Sequence, residues 1–103
     1  MFQGYESTRN SKIKATASGA VLKGIADDGG LYVMRGLENK NISVENLKGK
    51  DYMEIAEIVL KEMLDDFSEA KIKECVEKAY SEKFGVKEIT PVVRVGDLYI
   101  TEL

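Results

Sequence analysis

The sequence predicts an α/β chain of the α+β kind: a small sheet of about four short strands packed by three helices. Three observations predict it. Two stretches, 51–64 and 68–80, repeat apolar residues at three- and four-residue steps. Short β-prone runs stand at 2–7, 31–34, 92–95 and 98–100. Between an early helical pattern and the second of those runs lies Asp27-Asp28-Gly29-Gly30, a corner that must stop a helix and aim a strand. The 103 residues suffice for one domain with one modest core.

Phe2 to Ser7 is expected as the first strand, with Phe2 and Tyr5 as apolar anchors. Ser7 to Lys12 is a polar connection in which Ser11 can cap the next helix. The same connection can present Arg9 to an anion, because binding residues favour loops on a rigid scaffold. A helix is expected from Ile13 or Thr16 to Ala26, packed through Ala20, Val21, Gly24 and Ile25. Gly19 lies inside it and costs about 1 kcal/mol relative to alanine, so packing must hold this helix together. Leu31 to Met34 should pair in one sheet with the first strand.

Residues 35–50 are polar, with one turn expected at Ser43–Leu47. Asp51 is the expected cap of the second helix, with Glu54 completing a capping box. Tyr52, Ile55, Ala56, Val59, Met63 and Leu64 form its apolar stripe. Ser68 should cap the third helix, with Phe67 and Ile72 as a hydrophobic staple. Its buried stripe is expected to be Ile72, Cys75, Val76, Ala79 and Tyr80, and Gly85 its end. The short link between these helices predicts an antiparallel hairpin. Val92–Val95, Gly96-Asp97 and Leu98–Ile100 read as a β-hairpin, and glycine at the first turn position suits a type II′ turn. The closing strand, Leu98–Leu103, stops only because the sequence stops, so an element cut across is expected there.

Composition excludes several functions. The net charge is −3 with both signs interspersed, so no basic patch invites nucleic acid. No apolar run approaches the ~20 residues of a membrane helix, and one cysteine cannot build a disulfide framework; a cytoplasmic setting is expected. There is no histidine, which removes the commonest general base and the commonest transition-metal ligand. Cys75 is expected in the core, with nothing nearby to favour a thiolate.

The Gly-Gly corner invites a phosphate-loop reading and fails it. A phosphate loop needs a strand before the glycines and a helix after them, and the order here is reversed. Asp27 and Asp28 are neighbours, so their side chains diverge and form no carboxylate dyad. Nothing local desolvates Lys23 into a Schiff-base lysine. No residue receives a catalytic, cofactor-binding or metal-binding role.

The chain nevertheless resembles a known family along most of its length. Tyr5 with Ser7-Thr8-Arg9, and the string from Ala20 through Gly24-Ile25-Ala26-Asp27-Asp28-Gly29-Gly30-Leu31-Tyr32-Val33, resemble the N-terminal segment of threonine synthase. Tyr52-x-Glu54-Ile55-Ala56, Thr90-Pro91-Val92-Val93 and Leu98-Tyr99-Ile100-Thr101-Glu102-Leu103 extend the likeness. Met34 departs from it, standing where the family commonly has proline. The family often has an aromatic near Ala17 and an acidic residue near Gly19, and both are missing here.

The resemblance implies the N-terminal domain of a pyridoxal-phosphate enzyme that converts O-phosphohomoserine and water to threonine and phosphate. The family's cofactor lysine follows beyond the position of Leu103, so the resemblance implies a stretch, 1–103, without cofactor or catalytic residues. Its expected partners are the catalytic domains of the same chain, with self-association through uncovered apolar surface. An alternative is a stand-alone interaction module whose terminal hairpin adds to a partner's sheet.

Overall fold

The computed structural model describes residues 4–81 and 90–102. Among them are three helices and two small antiparallel sheets of three and two strands, an α+β architecture. Tyr5–Ser7 (β1) is the middle strand of the larger sheet, flanked by Lys14–Ala15 (β2) and Tyr32–Met34 (β3). Tyr5 stands opposite Ala15 on one side and Met34 on the other; Ser7 stands opposite Tyr32. The expected pairing of the first strand with the run at 31–34 is therefore direct. Phe2 lies outside the described residues.

The strand β2 was not expected. Of the two expected helix starts, Ile13 and Thr16, the structure takes the later one: Ala17–Lys23 (α1) follows Thr16. Thr16 caps it, accepting from the Gly19 amide at 3.0 Å, so Ser11 is not the cap. Gly24 closes it at φ +77°, where a side chain would clash with its own backbone. The helix ends there rather than at Ala26.

Tyr52–Met63 (α2) starts as expected. The Asp51 carboxylate accepts from the Glu54 amide and the Glu54 carboxylate from the Asp51 amide, both at 2.9 Å. Glu69–Tyr80 (α3) is capped by Ser68, which accepts from the Lys71 amide at 3.2 Å. Tyr52 in the first turn of α2 meets Tyr80 in the last turn of α3 edge-on, ring centres 5.0 Å apart, which fixes the pair as antiparallel. The end of α3 differs from expectation: Ser81 caps it, and Gly85 lies outside the described residues.

The buried apolar residues are Ala17, Ala26, Ile72 and Val76. All three expected stripes are narrower than their periodicity implied; on α2 no residue is fully buried, and Tyr52 is exposed. On α3 only Ile72 and Val76 are buried, spaced by one helical turn. Cys75 and Ala79 sit to one side and are exposed, so Cys75 is not a core residue. Val21 on α1 and Ile25 just beyond its end are exposed rather than packed. A seven-residue helix offers about two turns, and its buried contact is Ala17 at the first position.

Two polar links tie the helical hairpin to the sheet. The Tyr5 hydroxyl donates to the Met63 carbonyl at 2.6 Å, anchoring the end of α2 on the middle strand. Asp66, in the turn between α2 and α3, accepts from the Ser18 amide at 3.1 Å and from the Ser18 hydroxyl. The carboxylate thus sits on the first turn of α1, where the helix dipole also favours it. The hairpin Val92–Val95 (β4) and Leu98–Thr101 (β5) forms the second sheet. Gly96 has φ +61° and Asp97 does not have positive φ, which fits the expected type II′ turn.

Candidate functional site: the glycine corner

Residues 26–31 carry the chain from α1 into β3, and β1 with its following residues closes over them. The centre of the corner is Asp28. Its Oδ1 accepts from the Ser7 hydroxyl at 2.7 Å and from the Gly30 amide at 2.9 Å. The Ser7 Oγ in turn accepts from the Arg9 amide at 3.2 Å. Ser7 is only 3% exposed, so its hydroxyl depends on these partners. Thr8 completes the seam: its amide donates to the Leu31 carbonyl at 2.8 Å, and its hydroxyl accepts from the Leu31 amide at 3.0 Å.

Arg9 braces the outside of the corner. Its Nη1 donates to the Asp28 carbonyl at 3.0 Å, and its guanidinium lies flat against Gly29, where a Cβ would stand 2.9 Å from Nη1. Residues 7, 8, 9, 28 and 30 belong to the two segments that carry the family resemblance in the sequence. The structure brings them together as one hydrogen-bonded unit.

The corner's donors are directed inward. The amides of Gly29, Gly30 and Leu31 donate to the Ala26 carbonyl, Asp28 Oδ1 and Thr8 Oγ1. A phosphate loop needs such amides free to face the anion. The first turn of α1 is equally committed, with Ser18 bonded to Asp66 and Gly19 to Thr16. Asp27 and Asp28 diverge as expected: Asp27 pairs with Lys23 at 2.5 Å, while Asp28 turns to Ser7.

The charges fit scaffolding. The Ser7 hydroxyl, and then the Gly30 amide, hold the Asp28 carboxyl below the usual carboxylate range. A group depressed in the folded state contributes stability above its unfolded pKa, and that contribution is lost as pH falls through the folded value. Asp66 is depressed for the same reason, by the Ser18 hydroxyl first. Acid should therefore loosen the chain below about pH 4, where free carboxylates titrate. In Asp28→Asn the loss on acidification should be shallower than in the parent, with lower stability at pH 7. Thermal unfolding followed by circular dichroism from pH 7 to pH 3 measures both.

Neither Lys23 nor Lys78 is prepared as an amine nucleophile. Lys23 and Lys78 have raised pKa values because Asp27 and Glu74 hydrogen-bond their ammonium groups, which is opposite to what a Schiff-base lysine requires. Lys61 pairs with Glu69 beside a groove of about 270 Å³ between α2 and α3, and Glu54 on the same wall is held in the capping box. Among the described residues no group of three or more His, Cys, Asp or Glu residues can hold a metal ion. The glycine corner does not fit pyridoxal phosphate: Lys23 beside it is paired with Asp27, and the Gly29, Gly30 and Leu31 amides are already bonded within the corner.

Two contributors escaped sequence reading. Asp66, between the two apolar helical stretches, carries no sequence signal for a distant partner, yet it reaches across to α1. Ser7 was expected as the end of the first strand and the start of a polar connection, and it is also the buried keystone of the corner. Partial signals were present: Thr16-x-x-Gly19 before an apolar run marks a helix start, and a Ser-Thr pair next to Tyr5 supplies two hydroxyls at a strand end.

The geometry defines a class: a small α+β domain arranged around a loop whose amide donors are bonded within the loop and to the strand that closes over it. Comparison with known proteins then gives the family. A family model described as "Threonine synthase N terminus" matches residues 4–80, and the chain belongs to that family. It is 37% identical over 91 residues to threonine synthase-like 1 of Mus musculus, covering 84% of this chain. The protein of the same name from Homo sapiens matches at 37% over 92 residues, again 84% of this chain. The chain spans 12% of the length of these relatives. The matched span contains β1 to α3 and the whole glycine corner.

Proposed function

We propose that this chain is the structural N-terminal module of a pyridoxal-phosphate-dependent threonine synthase, a cytoplasmic lyase of threonine biosynthesis. The complete enzyme converts O-phosphohomoserine and water to threonine and phosphate. Pyridoxal phosphate, when bound in the catalytic part, supplies the electron sink for that reaction. The module itself holds neither cofactor nor reacting groups. Its Ser7-Thr8-Arg9 segment fixes the corner, the corner fixes the angle between α1 and β3, and Tyr5 and Asp66 fix the helical hairpin against both. Its partners are the catalytic domains of the same chain.

The observation that carries this reading is the closed corner: the residues that mark the family direct their donors at one another, as a scaffold requires. In addition, no helix among the described residues is long and apolar enough to cross a membrane. Assay of the full-length protein tests the reading. With pyridoxal phosphate it should release phosphate from O-phosphohomoserine and form threonine in equal amounts. Phosphate release with a different organic product would assign another reaction on the same scaffold, and no turnover at all would contradict the proposal.

A further inference from the structure

We propose that Asp28–Gly29 is the chain's site of spontaneous isoaspartate formation, and that the closed corner is what restrains the reaction. The modification would turn a closed corner into a permanently open one. The inference is independent of the reaction assigned to the complete enzyme.

The chemistry needs only the chain and water. The Gly29 backbone nitrogen attacks the Asp28 side-chain carbon Cγ and gives up its proton. A C–N bond forms, the bond from Cγ to one carboxyl oxygen breaks, and that oxygen leaves as water. The product is a five-membered succinimide. Water then adds to one of its two carbonyl carbons and breaks the bond from that carbon to nitrogen. Addition at Cγ restores aspartate. Addition at the backbone carbonyl carbon leaves the main chain running through Cβ and Cγ, which is isoaspartate. Nothing is oxidised or reduced, and the final mass is that of the parent. Ring closure is limited by crowding at the attacking nitrogen, and glycine, with no Cβ, crowds it least. Asp28–Gly29 is the only step in the sequence where Asp or Asn precedes glycine; the other aspartates precede Asp, Tyr, Phe or Leu. Gly29 itself is exposed, so water reaches the step.

The corner engages both reacting groups. The Gly29 amide donates to the Ala26 carbonyl at 2.9 Å. Asp28 Oδ1 accepts from the Ser7 hydroxyl at 2.7 Å and from the Gly30 amide at 2.9 Å, which ties the carboxylate to the amide beyond Gly29. Oδ2 is buried, away from the solvent proton that a departing hydroxyl needs. Attack requires a free nitrogen aligned with Cγ, so the reaction runs from an opened corner. The Ser7 hydroxyl, and then the Gly30 amide, also hold the Asp28 carboxyl below the usual carboxylate range, which makes the neutral acid, the form that accepts attack, scarce at neutral pH. Arg9 adds a strap over Gly29 through its bond to the Asp28 carbonyl at 3.0 Å. Isoaspartate would undo this arrangement. It hangs the carboxylate directly on Cα, one carbon short of Ser7. It also lengthens the main chain under Arg9, whose Nη1 already stands 2.9 Å from the place of a Gly29 Cβ.

Ageing the 103-residue chain at neutral pH, beside a synthetic peptide of residues 24–33 and the variants Ser7→Ala and Arg9→Ala, tests the inference. Isoaspartate is read as a tryptic fragment Gly24–Arg35 of unchanged mass and shifted retention that an isoaspartyl methyltransferase labels. The peptide should isomerise at Asp28 at least about tenfold faster than the chain. Ser7→Ala should speed the chain at least about fivefold. Arg9→Ala, at an exposed side chain, should speed it at least about threefold while its melting temperature stays within about 2 °C of the parent. The isomerised chain, once separated, should melt below the parent. If Ser7→Ala does not fold, Arg9→Ala decides. Equal rates in peptide and chain, or a folded Arg9→Ala that ages no faster than the parent, would overturn the restraint by the corner. A peptide that stays unmodified, or isoaspartate arising first at another aspartate of the chain, would overturn the site.

Discussion

Gly30→Ala should lower the melting temperature by at least about 10 °C, a loss of about 2–4 kcal/mol from a total of about 5–15. Gly30 is buried where the corner passes beneath β1. A Cβ there would overlap the Ser7 hydroxyl oxygen and stand 3.0 Å from Asp28 Oδ1 and 3.1 Å from the Arg9 amide nitrogen. Ser7 cannot yield without breaking its bond to Asp28, and Asp28 already has a buried Oδ2 that finds no partner among the described residues. One methyl group thus forces either a steric overlap or a second unsatisfied buried oxygen. Gly24→Ala is the control. Open space surrounds a Cβ there, and only the φ of +77° opposes it, so about 1 kcal/mol is expected. Equal effects at the two positions would mean that the corner is not closely packed. Differential scanning calorimetry on both variants decides it.

The second large effect is Val76→Asp. Val76 is 1% exposed and is the largest fully buried side chain among the described residues. A carboxylate there has no partner and loses its hydration, which should cost about 3–5 kcal/mol, most of the stability of a domain with so small a core. Far-ultraviolet circular dichroism should show a broad loss of helix at room temperature. The neighbouring Cys75→Ser should stay within about 0.5 kcal/mol of the parent, because Cys75 is exposed. If Cys75→Ser proved as damaging as Val76→Asp, the stripe read from the sequence would be right and the packing described here wrong.

That contrast shows what the sequence made legible. Helix starts were readable because they are local: Asp51 and Glu54 satisfy each other's amides three residues apart, and Ser68 caps α3 in the same way. The β-hairpin turn was readable because Gly96 alone meets its backbone requirement. Periodicity gave the buried side of α3 only to within one neighbour, since Cys75 and Val76 differ by 100° around the helix. It failed on the first expected helix, where Val21 and Ile25 match a buried stripe but are exposed. The two-residue strand β2 is too short to carry any pattern. The corner was legible as a family resemblance but not as a mechanism. Ser7 and Asp28 lie 21 positions apart, and only the pairing of β1 with β3 brings hydroxyl and carboxylate together.

The central claim is that the family's signature residues here build a scaffold and leave cofactor chemistry to the rest of the enzyme. Titrating the 103-residue chain with pyridoxal phosphate, and following imine absorbance while supplying O-phosphohomoserine, tests it most directly. The account predicts only weak absorbance shared among surface lysines, insensitive to any single lysine substitution, and no phosphate release. Stoichiometric imine formation abolished by replacing one lysine, with phosphate released by this chain alone, would contradict it.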